Sequence, residues 1–109
     1  MRRIVALPPY ERQVKRLLSQ EEREAMEAAV SADPLAFPVM RRTGGFRKAR
    51  WGRGSSGKSG GVRVIFYFYV ARDTIFLALM YAKNELENLS DAQEKELKRL
   101  AKEIESSGR

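Results

Sequence analysis

Two uninterrupted apolar runs, Val64 to Ala71 and Ile75 to Ala82, stand three residues apart, and this pair constrains the fold more than any other feature of the chain. Each falls far short of the ~20 residues that a membrane-spanning helix requires. The stretch Val62-Arg63-Val64-Ile65-Phe66-Tyr67-Phe68-Tyr69-Val70 is dense in β-branched and aromatic residues and reads as a strand. Arg72-Asp73 turns the chain, and Ile75 to Lys83 returns as a second strand. The near-continuous apolarity of that second run predicts a central position, covered on both faces.

The flanking segments supply helices and a further strand pair. Arg3 to Leu7 reads as a short strand stopped by Pro8-Pro9, which suit a turn and the first positions of a helix. Tyr10, Val14, Leu17 and Leu18 then recur at helical spacing as one apolar stripe. Ser19 to Glu22 forms the S-x-x-E of a capping box, opening a second helix with Met26, Ala29 and Val30 on its inner face, and Asp33-Pro34 ends it. After a loop through Arg41-Arg42-Thr43, Gly44-Gly45 opens a strand over Phe46 to Trp51, and Gly52 to Gly61 reads as a long hairpin loop. Ser90 to Gln93 offers a second capping box for a terminal helix, with Leu97, Leu100, Ala101 and Ile104 inward. Asp91 and Glu94 near its start, with Lys98, Arg99 and Lys102 later, complement the helix dipole. The order β-α-α-β-β-β-α predicts an α+β fold: an antiparallel-rich sheet of about four strands, an N-terminal helical hairpin and a C-terminal helix. The 109 residues are sized for one domain, 1–109.

Charge is concentrated in the middle of the chain. From Pro34 to Arg72 there is no acidic residue, while nine of the 21 lysines and arginines fall there; the remaining twelve against all fourteen acids leave the rest of the chain at −2. The net charge of +7 is thus local, and it fits either a polyanion site or a solvated basic loop. Neither cysteine nor histidine is present, which removes disulfides, thiolate nucleophiles and the usual transition-metal ligands. Acid-base chemistry would fall to Lys, Arg, Tyr or Glu. Only Ile4 to Pro9 is apolar behind Met1-Arg2-Arg3, too short for a secretory leader, so cytoplasmic residence is the expectation.

One motif match fails on mechanism. Gly52-Arg53-Gly54-Ser55-Ser56-Gly57-Lys58-Ser59 fits G-x-x-x-x-G-K-[ST] letter for letter. A phosphate-cradling loop needs a strand before it and a helix N-terminus after it. Here the loop runs into Gly60-Gly61 and a strand, and no later apolar run ends in an Asp placed to hold magnesium. A basic hairpin tip is the better reading.

Strand alternation puts Lys48 and Arg50 on one face, with Ala49 and Trp51 on the other. Arg63 opens the next strand; Tyr81 and Lys83 close the last, on a common face with Leu79 and Leu77. Joined at their ends, these strands gather four cations and a phenol in one groove. An arginine heading an apolar strand is costly to bury alone, so Arg63 either pairs with an acid, Glu85 or Glu87, or faces an anion site.

These residues carry a family resemblance. Gly44-Gly45-Phe46-Arg47-Lys48-Ala49-Arg50-Trp51, the basic glycine-rich loop, Gly60-Gly61-Val62-Arg63-Val64-Ile65-Phe66-Tyr67-Phe68-Tyr69, and Tyr81-Ala82-Lys83-Asn84-Glu85 with Leu89-Ser90 resemble the RelE/ParE toxin superfamily, its HigB-type branch most closely. The early Tyr10-Glu11-Arg12-Gln13-Val14 fits as well. The resemblance implies the toxin of a bacterial toxin-antitoxin pair, an endoribonuclease cutting mRNA on translating ribosomes with a basic sheet groove and neither metal nor cofactor. It also implies a cognate antitoxin, commonly one with a helix-turn-helix DNA-binding domain.

Carried over by position, Lys48 and Arg50 match the paired strand cations, Arg63 the arginine opening the third strand, and Lys83 the basic position closing the last. The implied chemistry is attack of a ribose 2′-oxygen on its own neighbouring phosphate, which asks for cations around the phosphate, a base and an acid. Arg63 and Arg50 take the phosphate charge, Lys48 the proton abstraction, and Lys83 or Tyr81 the leaving-group side; Arg47, Arg53 and Lys58 are expected to bind RNA. One departure concerns the acid. Where related ribonuclease toxins often place a tyrosine or histidine after the last strand, this chain reads Leu86-Glu87-Asn88-Leu89-Ser90, so Glu85 and Glu87 stay open for that role. The superfamily also contains toxins that inhibit DNA gyrase without cutting RNA, and fold does not settle activity. A non-catalytic RNA-binding module, stacking bases on Phe66, Phe68 or Tyr69, is a third reading.

Overall fold

Proline at both of its first two positions lets helix α1 (Pro8–Leu17) begin directly after strand β1 (Arg3–Ala6) without a side-chain cap, because the missing N–H groups would have no partner there. The computed structural model describes residues 2–52, 61–86 and 88–107; Arg53, Lys58 and Glu87 lie outside them. Helix α2 (Gln20–Ala32) starts at the expected capping box: Ser19 Oγ accepts from the Glu22 N–H at 3.1 Å, and the Glu22 carboxylate accepts from the Ser19 N–H at 2.9 Å. Polar contacts then lock the two helices. The Tyr10 hydroxyl donates to Glu27 at 2.6 Å, and Arg23 lies between Glu11 and Glu27, with its guanidinium 5.5 Å from the Tyr10 ring centre.

A 3₁₀ turn (Pro34–Ala36) leads to an isolated bridge between Val39 and Arg47, beside strand β2 (Arg47–Trp51). Thr43 staples the intervening loop, donating to the Met40 carbonyl at 2.9 Å and accepting from the Phe46 N–H at 3.1 Å. Strands β3 (Val62–Tyr69) and β4 (Thr74–Ala82) follow, joined by a 3₁₀ turn (Val70–Arg72) and by Asp73 in the left-handed region, a conformation that aspartate tolerates. Helix α3 (Asp91–Ser107) closes the chain behind the Ser90/Gln93 capping box. Its last turn holds no basic residue, so Lys98, Arg99 and Lys102 fall short of the terminus and only the acidic start complements the dipole.

The sheet has the order β1-β4-β3-β2, with β1 parallel to β4 and the other two pairs antiparallel. The α+β class, the element order and the central place of the Ile75 run are as the sequence predicts. Tyr10, Val14, Met26 and Val30 pack on Val64, Phe66, Leu77 and Met80 across one face. On the other face Leu97, Ala101 and Ile104 of α3 meet Phe46, Ile65, Tyr67 and Tyr81, while Leu100 is only partly buried.

Strand β4 departs from simple alternation. Its register against β3 passes from Ile65–Leu79 to Phe66–Leu77, leaving Ala78 without an opposite residue. An extra residue reverses the facing of everything beyond it. Leu77 and Tyr81, expected on a common face, therefore lie on opposite ones: Leu77 in the core under the helical hairpin, Tyr81 with Leu79 beneath α3.

Candidate functional site

Arg50 of β2 stands opposite Arg63 of β3, and Arg63 stands opposite Tyr81 of β4, so three polar side chains form a row across the sheet. Lys48 lies on the same face two positions along, opposite Ile65. The packing of α3 over Ile65, Tyr67 and Tyr69 leaves Arg50 exposed and Lys48 half-buried. Arg63 is buried at 7% exposure, with one guanidinium nitrogen 3.4 Å from the Val62 carbonyl.

Lys83 joins them from outside the strand. β4 ends at Ala82, one residue earlier than the sequence indicates, and Lys83 begins an exposed turn with Asn84 and Glu85. The Lys83 N–H donates to the Gly61 carbonyl at 3.0 Å, fastening this turn to the start of β3. Lys48, Arg50, Arg63 and Lys83 line one groove of about 520 Å³ together with Asn84, Glu85, Leu86 and Asn88. Like charges directly opposite each other in a sheet repel, and the Arg50–Arg63 register sets two guanidinium-bearing residues side by side at this groove.

Tyr81 lines an adjoining cavity of about 390 Å³ that shares Lys48 and Asn88 with the groove. Burial pushes its phenol above the ordinary tyrosine value of 10.0, and the nearby Arg63 charge opposes that shift. At neutral pH the hydroxyl therefore keeps its proton and can donate to an anionic oxygen.

Glu85 is engaged on the far side of the groove. Its carboxylate accepts from Arg16 of α1 at 2.8 and 2.7 Å and from the Ala82 N–H at 3.2 Å. Glu87, the other acid weighed for Arg63 and for proton delivery, lies outside the described residues, as do Arg53 and Lys58. Arg47 is placed apart from the groove, donating to the Phe37 carbonyl at 2.7 Å. Among the described residues no group of three or more His, Cys, Asp or Glu side chains could hold a metal ion.

Sequence reasoning missed Arg41, Asn88 and Glu94, which line the adjoining cavity. Their only signal was proximity in sequence to the basic stretch and to the Ser90 cap. Phe66 and Tyr69 are buried in the two cores, and Phe68 is partly buried under Arg2, at 5.4 Å from the ring centre. Base stacking on these rings would require opening the cores. The flanks of the glycine-rich connection are β2 and β3, paired antiparallel through Trp51 and Val62, so a strand and not a helix follows the G-x-x-x-x-G-K-S match.

Comparison with known proteins agrees with this architecture. The crystal structure of the isolated E. coli RelE toxin superposes with a TM-score of 0.57, covering 92% of this chain and 99% of that one at 14% identity, a likeness of fold. The family model described as the RelE toxin of the RelE / RelB toxin-antitoxin system matches residues 10–108. With nearly the whole chain inside that match, this protein belongs to the RelE toxin family.

Proposed function

We propose that this protein is a toxin that acts as an endoribonuclease, cutting mRNA on translating ribosomes. The observation that carries the reading is the groove in which Lys48, Arg50, Arg63 and Lys83 meet, with two of the arginines in direct cross-strand register. In the reaction, a ribose 2′-oxygen attacks the adjacent phosphorus and the bond to the 5′-oxygen breaks, leaving a 2′,3′-cyclic phosphate and a 5′-hydroxyl. Arg50 and Arg63 neutralise the charge that grows on the non-bridging oxygens. Lys48 takes the proton of the 2′-hydroxyl, and Lys83, on the groove's opposite bank, delivers one to the departing 5′-oxygen. Tyr81 donates a hydrogen bond from the adjoining cavity. Guanidinium and ammonium groups thus supply the charge stabilisation.

A cognate antitoxin opposes the toxin by covering this groove or by displacing an element such as α3, and the resemblance of residues 44–90 to the HigB-type branch is what supports an antitoxin with a helix-turn-helix DNA-binding domain. The test is primer extension on a reporter mRNA after adding the purified protein to a bacterial cell-free translation reaction. Cleavage stops within translated codons, absent with Arg63→Ala and Arg50→Ala, support the reading. Intact mRNA with the wild-type protein overturns it, and inhibition of DNA gyrase then becomes the activity to assay.

A further inference from the structure

At the end of β3 away from the cationic groove, apolar side chains that the fold leaves in solvent come together. Among the described residues, Leu35, Val39 and Val70 are the exposed large apolar side chains, at 61%, 52% and 69%, and all three line one cavity of about 510 Å³. Scattered singly, such residues need no explanation; gathered into one patch, they mark an interaction surface. Partly buried Phe68 extends the patch, and Arg47 borders it. The backbone at Val39 adds a second feature. Its bridge to Arg47 is held by the Met40 N–H, donating to the Phe46 carbonyl at 2.7 Å, and by the Lys48 N–H, donating to the Pro38 carbonyl at 3.1 Å. In that antiparallel pattern the hydrogen bonds flank the bridged pair, so the N–H and C=O of Val39 itself point away from β2, to the outside of the sheet. Neither has a hydrogen-bond partner among the described residues. An outward N–H and C=O beside an apolar cavity is what an added strand uses: main-chain pairing gives affinity, and side-chain pockets give specificity.

We propose that this edge is a docking surface for the cognate antitoxin, which lays an extended segment along Val39 with an apolar residue in the cavity between Leu35 and Val70 and acidic residues beside it. The existence of the partner rests on membership of the RelE toxin family and not on the ribonuclease reading. Charge selects this occupant. Arg47 borders the cavity, Arg41, Arg42 and Arg72 stand in the segments that carry Val39 and Val70, and no acid occurs from Pro34 to Arg72. The one carboxylate lining the cavity, Glu105, already accepts from Tyr67. A second copy of this chain would set the same acid-free, arginine-bearing segments against each other, at a net charge of +7 per chain. An acidic segment meets them with the opposite charge. The end of β3 lies roughly 20 Å along the strand from Arg63, so a segment docked here leaves the groove itself uncovered and serves as an anchor.

The experiment uses the purified full-length toxin and its cognate antitoxin. Hydrogen exchange is expected to show the Val39 amide protected in the complex and open in the free toxin. The double variant Leu35→Asp with Val70→Asp alters two exposed side chains, so the free variant is expected to melt with the wild type and to cut mRNA equally. Its affinity for the antitoxin is expected to fall roughly tenfold or more. Unchanged affinity, or protection confined to the groove and α3, overturns the docking surface. So does a free wild-type toxin that self-associates and turns monomeric in the double variant, which assigns the patch to a second copy. Failure of the two readings separates cleanly: mRNA cleavage with antitoxin affinity unchanged in the double variant removes this surface alone, and a lost affinity with mRNA left intact by the wild type removes the ribonuclease reading alone.

Discussion

Arg50 and Arg63 occupy directly opposed positions on β2 and β3, one exposed and one buried, facing the same groove. Opposed like charges on one sheet face cost about 0.2–1 kcal/mol. Arg50→Ala is therefore expected to leave thermal stability unchanged or slightly raised at low salt, with the difference shrinking as ionic strength rises, while mRNA cleavage is lost. Melting curves at two salt concentrations beside the primer-extension assay check this. A variant that melts well below the wild type would show that Arg50 holds the fold and not a phosphate.

The turn that carries Lys83 is held from outside the sheet by Arg16, whose guanidinium makes a two-point contact with Glu85 at 2.8 and 2.7 Å. The Glu85 carboxylate raises the Arg16 pKa, principally through the hydrogen bond between them. Exposed pairs of this kind add little to global stability, so Arg16→Ala is expected to melt close to the wild type. Its effect should appear in cleavage, because freeing the turn lets Lys83 leave the groove. The double variant Arg16→Glu with Glu85→Arg restores the pairing and is expected to regain activity that either single reversal loses. Equal activity of the wild type and Arg16→Ala would remove the positioning role.

How far these relationships could be read in advance depended on whether side-chain alternation was visible. Lys48 and Arg50 alternate with Ala49 and Trp51, so their shared face was legible, and β-branched and aromatic density marked β3. The run Ile75 to Ala82 is apolar at every position, which leaves no alternation by which to detect the extra residue at Ala78. The facing of Leu77 was misread for that reason alone. Arg16 and Glu85 are 69 residues apart, and Arg41, Asn88 and Glu94 converge from three segments, so only the fold brings them together. Arg47 looked equivalent to its basic neighbours by composition, yet strand parity turns it away from Lys48 and onto the Phe37 carbonyl.

Gly44 sits with φ +76°, and a Cβ added there would lie 3.1 Å from the Cβ of Ala101. The loop before β2 thus approaches α3 closely in a conformation that L side chains rarely adopt. Gly44→Ala is expected to destabilise the protein by about 1–2 kcal/mol in urea unfolding, with the loss centred on α3 docking. Gly45→Ala adds its Cβ 3.2 Å from the Tyr67 ring and carries the same sign. A stability equal to the wild type in both variants would show that the loop can retreat from α3 without cost.

Tyr67 ties the sheet to α3 by donating its hydroxyl to Glu105. Burial raises the phenol, and the hydrogen bond to Glu105 adds to the shift, carrying its pKa to about 12 from an ordinary value of 10.0. Tyr10 is raised as well, by burial first and then by its hydrogen bond to Glu27. A group whose folded pKa exceeds its unfolded value binds more protons in the native state, so stability falls with pH across the interval between the two values. The contribution of Tyr67 is fully present below pH 10 and is lost as pH rises toward about 12. Chemical unfolding followed from pH 8 to 12 should therefore show a flat region and then a decline beginning near pH 10. Tyr67→Phe removes one titrating group and is expected to begin lower, by about 1 kcal/mol, with a shallower alkaline slope. Tyr10→Phe provides the parallel case on the opposite face, where the loss should fall on the helical hairpin. An alkaline slope identical in the wild type and both variants would place the decline elsewhere and would show that neither phenol needs its proton to hold its carboxylate.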